Sequence, residues 1–342
     1  MVHATLRDLL FRRRRYLISI LGCGLVFAMS LVMTGLADAF PLEWRRTVKA
    51  IGARSFITPS QLSGPFTGVS PFEAERLPEG VEPLAFAVQT ATAEEPVSVA
   101  VFGLDRGSPS IPAAVEGRAP RKAGEVLVSD RSTYEIGDHF GIAGHRLRVV
   151  GLMDSLSVNG GMPVVVLSLE EAQKILYRGL PAVSSGIVRS SDPPSVGDGL
   201  QVQAADAAIE DAVRLLASAR KSINFMKVLL WLVAALIVGS VTFLSVIERL
   251  RDFAVFKTIG TPVRSIAGSV MLQSVVVALF SSLLGIALGQ LIAPVFPLPV
   301  AVSGLAMVLL PALGIGVGLV ASLLGLSRVL RVEPALAFGG AA

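Results

Sequence analysis

The sequence predicts an integral membrane protein with four transmembrane α-helices and an α+β extracytoplasmic domain inserted between the first and second spans. Of its 342 residues, 52% are hydrophobic and 16% are charged, whereas a soluble chain has about 25% charged residues. Four uncharged apolar runs reach the roughly 20 residues that cross a hydrocarbon layer about 30 Å thick. These runs occupy residues 16–37, 228–247, 266–293 and 301–326.

The basic residues around the spans predict the orientation. They form three groups: Arg7 with 12–15; Arg249, Arg251, Lys257 and Arg264; Arg328 and Arg331. Cytoplasmic flanks are rich in Lys and Arg, so both termini are expected inside the cell and the long segment 40–224 outside. We therefore predict a multi-pass protein of the cytoplasmic membrane, and the preference for arginine over lysine (24 against 6) suggests a GC-rich bacterial genome. Because topology explains the net charge of +4, no nucleic-acid partner is expected.

These runs and flanks divide the chain into nine segments. In order, they are a cytoplasmic amphipathic segment at 1–15, the first span at 16–39, the extracytoplasmic domain at 40–224, the second span at 225–247, a short cytoplasmic helix at 248–261, the third span at 262–293, an outer loop at 294–300, the fourth span at 301–326 and a cytoplasmic tail at 327–342.

The N-terminal segment leaves alternatives open. Leucines among arginines favour a helix in the membrane surface, and a basic topology signal without structure fits equally. Ala37-Asp38-Ala39 has the form of a signal peptidase site, and Cys23 ends a lipobox-like sequence. The apolar run exceeds a signal-peptide core and is long enough to span, so the first span is expected to be retained.

The inserted domain contains recognisable strands and helices. Strands are predicted at 97–104, 125–129, 162–167 and 182–189, with a hairpin over 137–151 that turns at Ala143-Gly144. Ser168 followed by acidic residues predicts a helix start, and another helix is expected over 204–222. Residues 40–89 give few periodic signals. With one cysteine, Cys23, in the first span, this domain must be held together by a hydrophobic core rather than by a disulfide.

Catalytic and metal-binding motifs are not apparent. His139 and His145 could meet across the hairpin beside Asp138, although surface histidines are the simpler interpretation and no metal is expected. The last three spans lack carboxylates and histidines, which disfavours an ion-coupled secondary transporter. We predict a chain that is not an enzyme and holds no cofactor.

Small residues at helical spacing mark candidate packing faces in the last two spans. They are Gly285 and Gly289 in the third span, and Gly314, Gly318, Ser322 and Gly325 in the fourth. Such stripes let helices approach closely in lipid. Glycine is also common in transmembrane helices, and the sequence does not say whether the stripes face this chain or a second copy.

The segment 248–261 is charged yet carries apolar residues at helical spacing. Leu250, Phe253, Ala254 and Lys257 share one side, and Glu248–Arg251 and Arg249–Asp252 are i,i+3 pairs. Gly260 suits the helix end, with Thr261 as cap and Pro262 in the first turn of the next helix. Exposed phenylalanines at 253 and 256 indicate a partner or the membrane surface.

This segment resembles the cytoplasmic coupling segment of FtsX-like/MacB-type permeases of ABC transporters. The match lies at Glu248, Arg249, Ala254, Lys257, Ile259 and Gly260, with Phe253 and Phe256 where isoleucine and leucine are more usual. Gly151 and the run 164–173 resemble the family's periplasmic core domain, and 331–336 its C-terminal signature. The order of one span, a large outer domain and three spans is also the family's.

The resemblance implies a permease subunit paired with a second permease, as a homodimer, and with two ATP-binding subunits that bind ATP and Mg. The coupling residues would be Glu248, Arg249, Leu250, Arg251, Asp252, Phe253, Ala254, Phe256, Lys257, Ile259 and Gly260. The chain has no Gly-rich phosphate-binding loop, so the ATPase is expected in a separate chain.

Two functions remain open at this point. The complex could export or extract a hydrophobic or amphiphilic substrate from the membrane, or it could transmit force to an extracytoplasmic adaptor or cell-wall hydrolase. A sensor is less consistent with the short tail. Membrane lipid is an expected partner in every case.

Overall fold

The computed structural model describes residues 13–68, 70–92, 96–296 and 298–330, without the side chains of 13–15, 250–251, 257 and 324–330. Most of the predicted N-terminal amphipathic segment, and the signature at 331–336, therefore lie outside the described residues. The chain divides into two compact units. The inserted unit is Ala39–Ala219, and the helical unit combines the residues up to Asp38 with those from Arg220 onward.

The first helix, α1 (Arg13–Ala50), extends past the predicted span end at residue 39 and contains Pro41. Its 38 residues correspond to roughly 57 Å at 1.5 Å per residue, well beyond the membrane thickness. Beyond the span, Trp44 and Val48 are buried in the core of the inserted unit. The helix is therefore prolonged because its last turns carry an apolar face that this core covers.

The inserted unit is built on a mixed sheet. Its strands are β1 (Ser55–Pro59), β2 (Phe72–Glu73), β3 (Glu82–Thr92), β4 (Val97–Leu104), β5 (Ala114–Gly117), β6 (Glu125–Ser129), β7 (His139–Ile142), β8 (His145–Met153), β9 (Ser157–Val158), β10 (Met162–Ser168), β11 (Ala182–Val183), β12 (Ser185–Val188) and β13 (Leu200–Ala204). The main order is β13-β1-β12-β3-β4-β10-β6-β8-β5, with β7 beside β3 and β8 and β9 beside β10. β10 runs parallel to β4, and β6 parallel to β8. A separate pair joins β2 to β11.

Helices cover both faces of this sheet. On one face, Trp44 of α1 and the helix α3 (Ala205–Arg214) enclose an aromatic core that contains Phe66, Phe86 and Phe102. On the other face, α2 (Leu169–Tyr177) packs on the strands. A Cβ added to Gly103 of β4 would lie 2.2 Å from the Cβ of Ala172, so this glycine sets the close approach of α2. The predicted α+β class is confirmed.

The helical unit contains α4 (Ala217–Glu248), α5 (Leu250–Thr258), α6 (Val263–Ile292) and α7 (Gly304–Leu330), with a 3₁₀ turn at Ala293–Val295. Among the described residues, four helices are long and apolar enough to cross a membrane: α1, α4, α6 and α7. The prediction of four spans, with a mixed domain inserted between the first and the second, is confirmed. The helices α1 and α4 extend beyond the predicted span limits.

The local predictions were right for the hairpin and for the helix start at Ser168, and wrong for the strand over 182–189 and the helix over 204–222. The strand is instead two short strands, β11 and β12, in different sheets. β7 and β8 turn at Ala143-Gly144, where both residues have positive φ, and Ser168 accepts a hydrogen bond from the backbone N–H of Glu171 at 3.4 Å. The single helix expected over 204–222 is instead two helices, α3 and the start of α4, separated at Leu215. Residues 40–89, which gave few signals, form the end of α1, β1, β2 and most of β3.

Candidate docking helix and the helical bundle that carries it

Helix α5 is a distinct element between two membrane-length helices. At its start, the backbone N–H of Arg249 donates to the Val246 carbonyl at 3.1 Å, and that of Phe253 to the Arg249 carbonyl at 2.9 Å. At its end, Gly260 has φ +89° and the Thr261 N–H donates to the Phe256 carbonyl at 2.9 Å. This is the 6→1 bond of a Schellman motif, which stops a helix firmly where glycine supplies the left-handed residue.

The inner face of α5 packs on the helices at both of its ends. Phe253 is only 4% exposed and contacts a cluster formed by Val246 of α4 and by Ile266 and Val270 of α6. Ala254 beside it is fully buried. The expectation that Phe253 is an exposed anchor for a partner is therefore wrong, because the neighbouring membrane helices already bury its ring.

The outer face of α5 is apolar and accessible. Phe256 is 38% exposed, Ile259 just past the helix end is 75% exposed, and Val255, one turn before Ile259, is also exposed. Exposed large apolar side chains cost free energy in water unless another surface covers them. These three residues, which we call the α5 outer face, are exposed apolar side chains that a partner could contact.

Arg249, the residue just before α5, contacts two side chains of the helix. The Arg249 guanidinium carbon lies 5.5 Å from the Phe253 ring centroid, and its Nε is 4.0 Å from Asp252 Oδ2, as the i,i+3 spacing predicts. The pair predicted between Glu248 and Arg251 involves a side chain outside the described set, as are those of Leu250 and Lys257. The predicted cap at Thr261 is wrong, because Pro262 occupies the N-cap position of α6 and makes no side-chain cap bond.

The small-residue faces pack within this chain. A Cβ on Gly285 would lie 2.6 Å from the Phe27 Cβ of α1, and one on Gly289 would lie 2.9 Å from Leu31. On α7, a Cβ at Gly314 would meet Ser282 of α6 at 2.9 Å, and one at Gly318 would meet the Ser274 carbonyl at 2.9 Å. Ser322 is fully buried on the same side of α7, while the surroundings of Gly325 are outside the described set.

A buried polar node joins three helices of the unit. Tyr16 of α1 and Ser245 of α4 are linked by their hydroxyls at 2.9 Å, and the amide of Gln273 of α6 donates to both. A second pair, Thr242 and Ser274, lies at 2.9 Å. Interhelical hydrogen bonds of this kind stabilise membrane bundles. Sequence patterns do not reveal the role of Gln273, because its partners lie far away along the chain.

The candidate histidine site does not form. In the hairpin, His139 pairs with Arg148 and His145 with Ile142, so the two imidazoles do not oppose one another. His145 Nδ1 instead lies 3.8 Å from Glu171 Oε1. Among the described residues, no group of three or more His, Cys, Asp or Glu side chains is placed to hold a metal.

Comparisons with known proteins agree with this architecture. The family described as FtsX-like permease C-terminal matches residues 224–334, which include α5. The uncharacterized ABC transporter permease Rv2563 of Mycobacterium tuberculosis is 42% identical over 99% of this chain and 100% of its own length. The chain belongs to the ABC transporter permease family. The resemblance seen in the sequence is thereby confirmed.

More distant proteins are also similar to this permease. The putative hemin transport system permease protein HrtB of Staphylococcus haemolyticus is 22% identical over 67% of each chain. The extracellular domain of the noncanonic ABC-type transporter YknZ from Gram-positive bacteria covers 49% of the permease and 94% of its own chain, at 16% identity and TM-score 0.29. The periplasmic region of MacB from Actinobacillus actinomycetemcomitans covers 49% and 95%, at 10% identity and TM-score 0.33.

Proposed function

We propose that the permease is the membrane subunit of a complex in which a separate ATP-binding protein docks on α5 from the cytoplasm. ATP binding and hydrolysis in that partner would move the helices and, through them, export or extract an amphiphilic substrate. The assembly would hold two permease chains and two ATP-binding subunits, and the permease itself would hydrolyse no ATP. Membership of the family supports the partnership, and the α5 outer face supports the place of contact.

The observation that carries this proposal is the division of α5 into two faces. Its inner face is fixed to α4 and α6 through Phe253, while its outer face leaves Phe256 and Ile259 exposed. Interface anchors are typically aromatic or large apolar side chains in a partner pocket. A force applied to the outer face would reach two membrane helices directly, because the same short helix packs on both.

The proposed contact is tested with the purified complex. The double variant Phe256→Ala/Ile259→Ala is expected to lose co-purification with the ATP-binding subunit and to lower permease-stimulated ATP hydrolysis at least tenfold. The matched control is Val295→Ala, which truncates an 84% exposed apolar residue in the connection between α6 and α7. Full binding and full stimulation by the double variant would refute docking on the α5 outer face.

A further inference from the structure

A groove in the inserted unit has two chemically different walls. It encloses about 800 Å³ and lies beside the last two turns of α1. Arg46 and Lys49 of α1 form one wall, and Ala113 and Val115 contribute exposed apolar surface. Neither the proposed docking at α5 nor the packing of the bundle uses this groove.

The cationic wall is available to a ligand. Arg46 and Lys49 stand three residues apart, on neighbouring turns of one helix face, and both are exposed. Within the described residues, neither forms an ion pair with a carboxylate. Asp154 on the opposite side accepts a hydrogen bond from the Ser155 N–H at 2.9 Å, and the Ser155 hydroxyl donates to Asp130 at 2.8 Å. Two positive charges therefore line the groove against the single carboxylate of Asp154, and among the described residues neither is ion-paired with it.

The apolar wall follows an open edge of the sheet. β5 ends the main strand order and pairs with β8 alone among the described strands. Val115 projects from it with 67% of its surface exposed. A groove with paired cations on one side and aliphatic surface on the other complements an amphiphile whose anionic group sits beside an apolar chain.

The place of the groove along α1 favours a membrane-derived ligand. Arg46 follows the predicted span end at residue 39 by seven residues, or about 10 Å of helix. Headgroup regions extend about 5–7 Å beyond each side of the hydrocarbon layer. Long basic side chains extend their charged ends toward such interfaces, so Arg46 and Lys49 are suited to an anionic headgroup.

We propose that this groove binds the phosphate-bearing headgroup of an anionic membrane lipid. Arg46 and Lys49 hold the phosphate oxygens by charge-assisted hydrogen bonds. Ala113 and Val115 cover the glycerol and the first methylenes of the chains. The identification of this lipid as the transported substrate rests on the proposed function, whereas its binding does not.

The test measures lipid binding by the full chain without any ATPase. The permease is placed in phosphatidylcholine nanodiscs, and a short-chain phosphatidylglycerol is titrated by calorimetry. Arg46→Gln/Lys49→Gln is expected to weaken binding at least tenfold, and Val115→Ser to weaken it severalfold. Arg45→Gln is the matched control, because Arg45 is an exposed neighbour on the same helix that does not line the groove. The affinity of this variant for the lipid should stay within twofold of that of the native chain.

Three results would overturn the proposal. One is equal loss of binding in Arg45→Gln, which would indicate general attraction to a basic surface. Another is binding of free glycerol phosphate, or of short-chain phosphatidylcholine, as tightly as the anionic lipid. The last is competition by a hexaglutamate peptide at equal concentration, which would point to an acidic protein segment as the occupant.

The two proposals fail in different ways. Phe256→Ala/Ile259→Ala should bind the short-chain lipid like the native chain, because its changes lie in the helical unit. Arg46→Gln/Lys49→Gln should still co-purify with the ATP-binding subunit. Unchanged lipid binding by Arg46→Gln/Lys49→Gln would refute only the groove. Unchanged co-purification of Phe256→Ala/Ile259→Ala with the ATP-binding subunit would refute only the docking helix.

Discussion

The guanidinium carbon of Arg249 lies 5.5 Å from the centre of the Phe253 ring, at the place where α4 gives way to α5. Cation–π contacts contribute about 0.5–1 kcal/mol at exposed sites. Because Arg249 also accepts the backbone hydrogen bond of Phe253, the start of α5 is fixed by main chain and side chain together. Contacts within the chain thus hold the start of the short helix.

The burial of Phe253 predicts a large loss of stability when its ring is removed. Phe253→Ala is expected to destabilise the helical unit by about 3 kcal/mol, because truncation of a buried Phe leaves a cavity. Thermal unfolding of the detergent-solubilised protein measures the change. Phe256→Ala on the exposed face is the control and should shift Tm little, and equal shifts for both would contradict the two-faced helix.

Close packing at Gly285 predicts that a single added methyl group is harmful. In Gly285→Ala the new Cβ would meet the Phe27 Cβ at 2.6 Å, and overpacking typically costs about 1–3 kcal/mol. Gly316→Ala on α7 is the matched control, since nothing lies within 4 Å of its Cβ position. A stable Gly285→Ala protein, judged by size-exclusion profile and Tm, would mean that α1 and α6 are not in this contact.

The buried polar node predicts a measurable cost for loss of the Gln273 amide. Gln273→Leu removes two interhelical hydrogen bonds and leaves the Tyr16 and Ser245 hydroxyls bonded to one another. Interhelical hydrogen bonds in membranes average about 0.6 kcal/mol with a maximum near 1.7, so a loss of about 1 kcal/mol is expected. Gln290→Leu provides the control, because that side chain is exposed. An equal Tm for the two variants would contradict the node.

The Arg118–Glu125 pair predicts acid sensitivity of the inserted unit. Glu125 accepts from both guanidinium Nη atoms, at 2.5 and 2.7 Å, and from two backbone N–H groups. The Arg118 guanidinium and these bonds lower the pKa of Glu125 to about 2, against about 4.3 in an unfolded chain. The folded state thus favours the carboxylate, and its stabilisation is complete above the unfolded pKa.

That stabilisation is lost as the pH falls from about 4.3 towards 2. Glu125→Gln removes the titrating group, so its unfolding midpoint in denaturant should fall less over this interval than that of the native protein. Unfolding is followed by tryptophan fluorescence, because Trp44 is buried in the same unit. Parallel pH profiles for the two proteins would exclude the pair as a source of acid sensitivity.

The sequence predicted what depends on local patterns and missed what depends on distant contacts. The four spans, the hairpin turn at Ala143-Gly144 and the end of α5 at Gly260 follow from apolar length and glycine chemistry. β1 escaped detection because its five residues are all buried, so they show no alternation. Phe253 was misjudged because its cover comes from Ile266 and Val270, which belong to the following helix.

The groove was also beyond sequence reasoning. Arg46 and Lys49 are ordinary basic residues in the printed chain, and their significance comes from the strand that folds back beside them. Val115 lies far along the sequence, in a strand too short to be predicted. The face of α1 that carries Trp44 into the core was also missed, because the first span was expected to end before it.

The burial of the single cysteine has a practical consequence for experiments on topology. Cys23 is fully buried and its Sγ lies 3.9 Å from the Ala234 carbonyl, so water-soluble maleimides should leave the native protein unmodified. Single reporter cysteines can then be introduced without first deleting the natural one. A reagent that cannot cross the bilayer would report directly on which side Asp252→Cys lies.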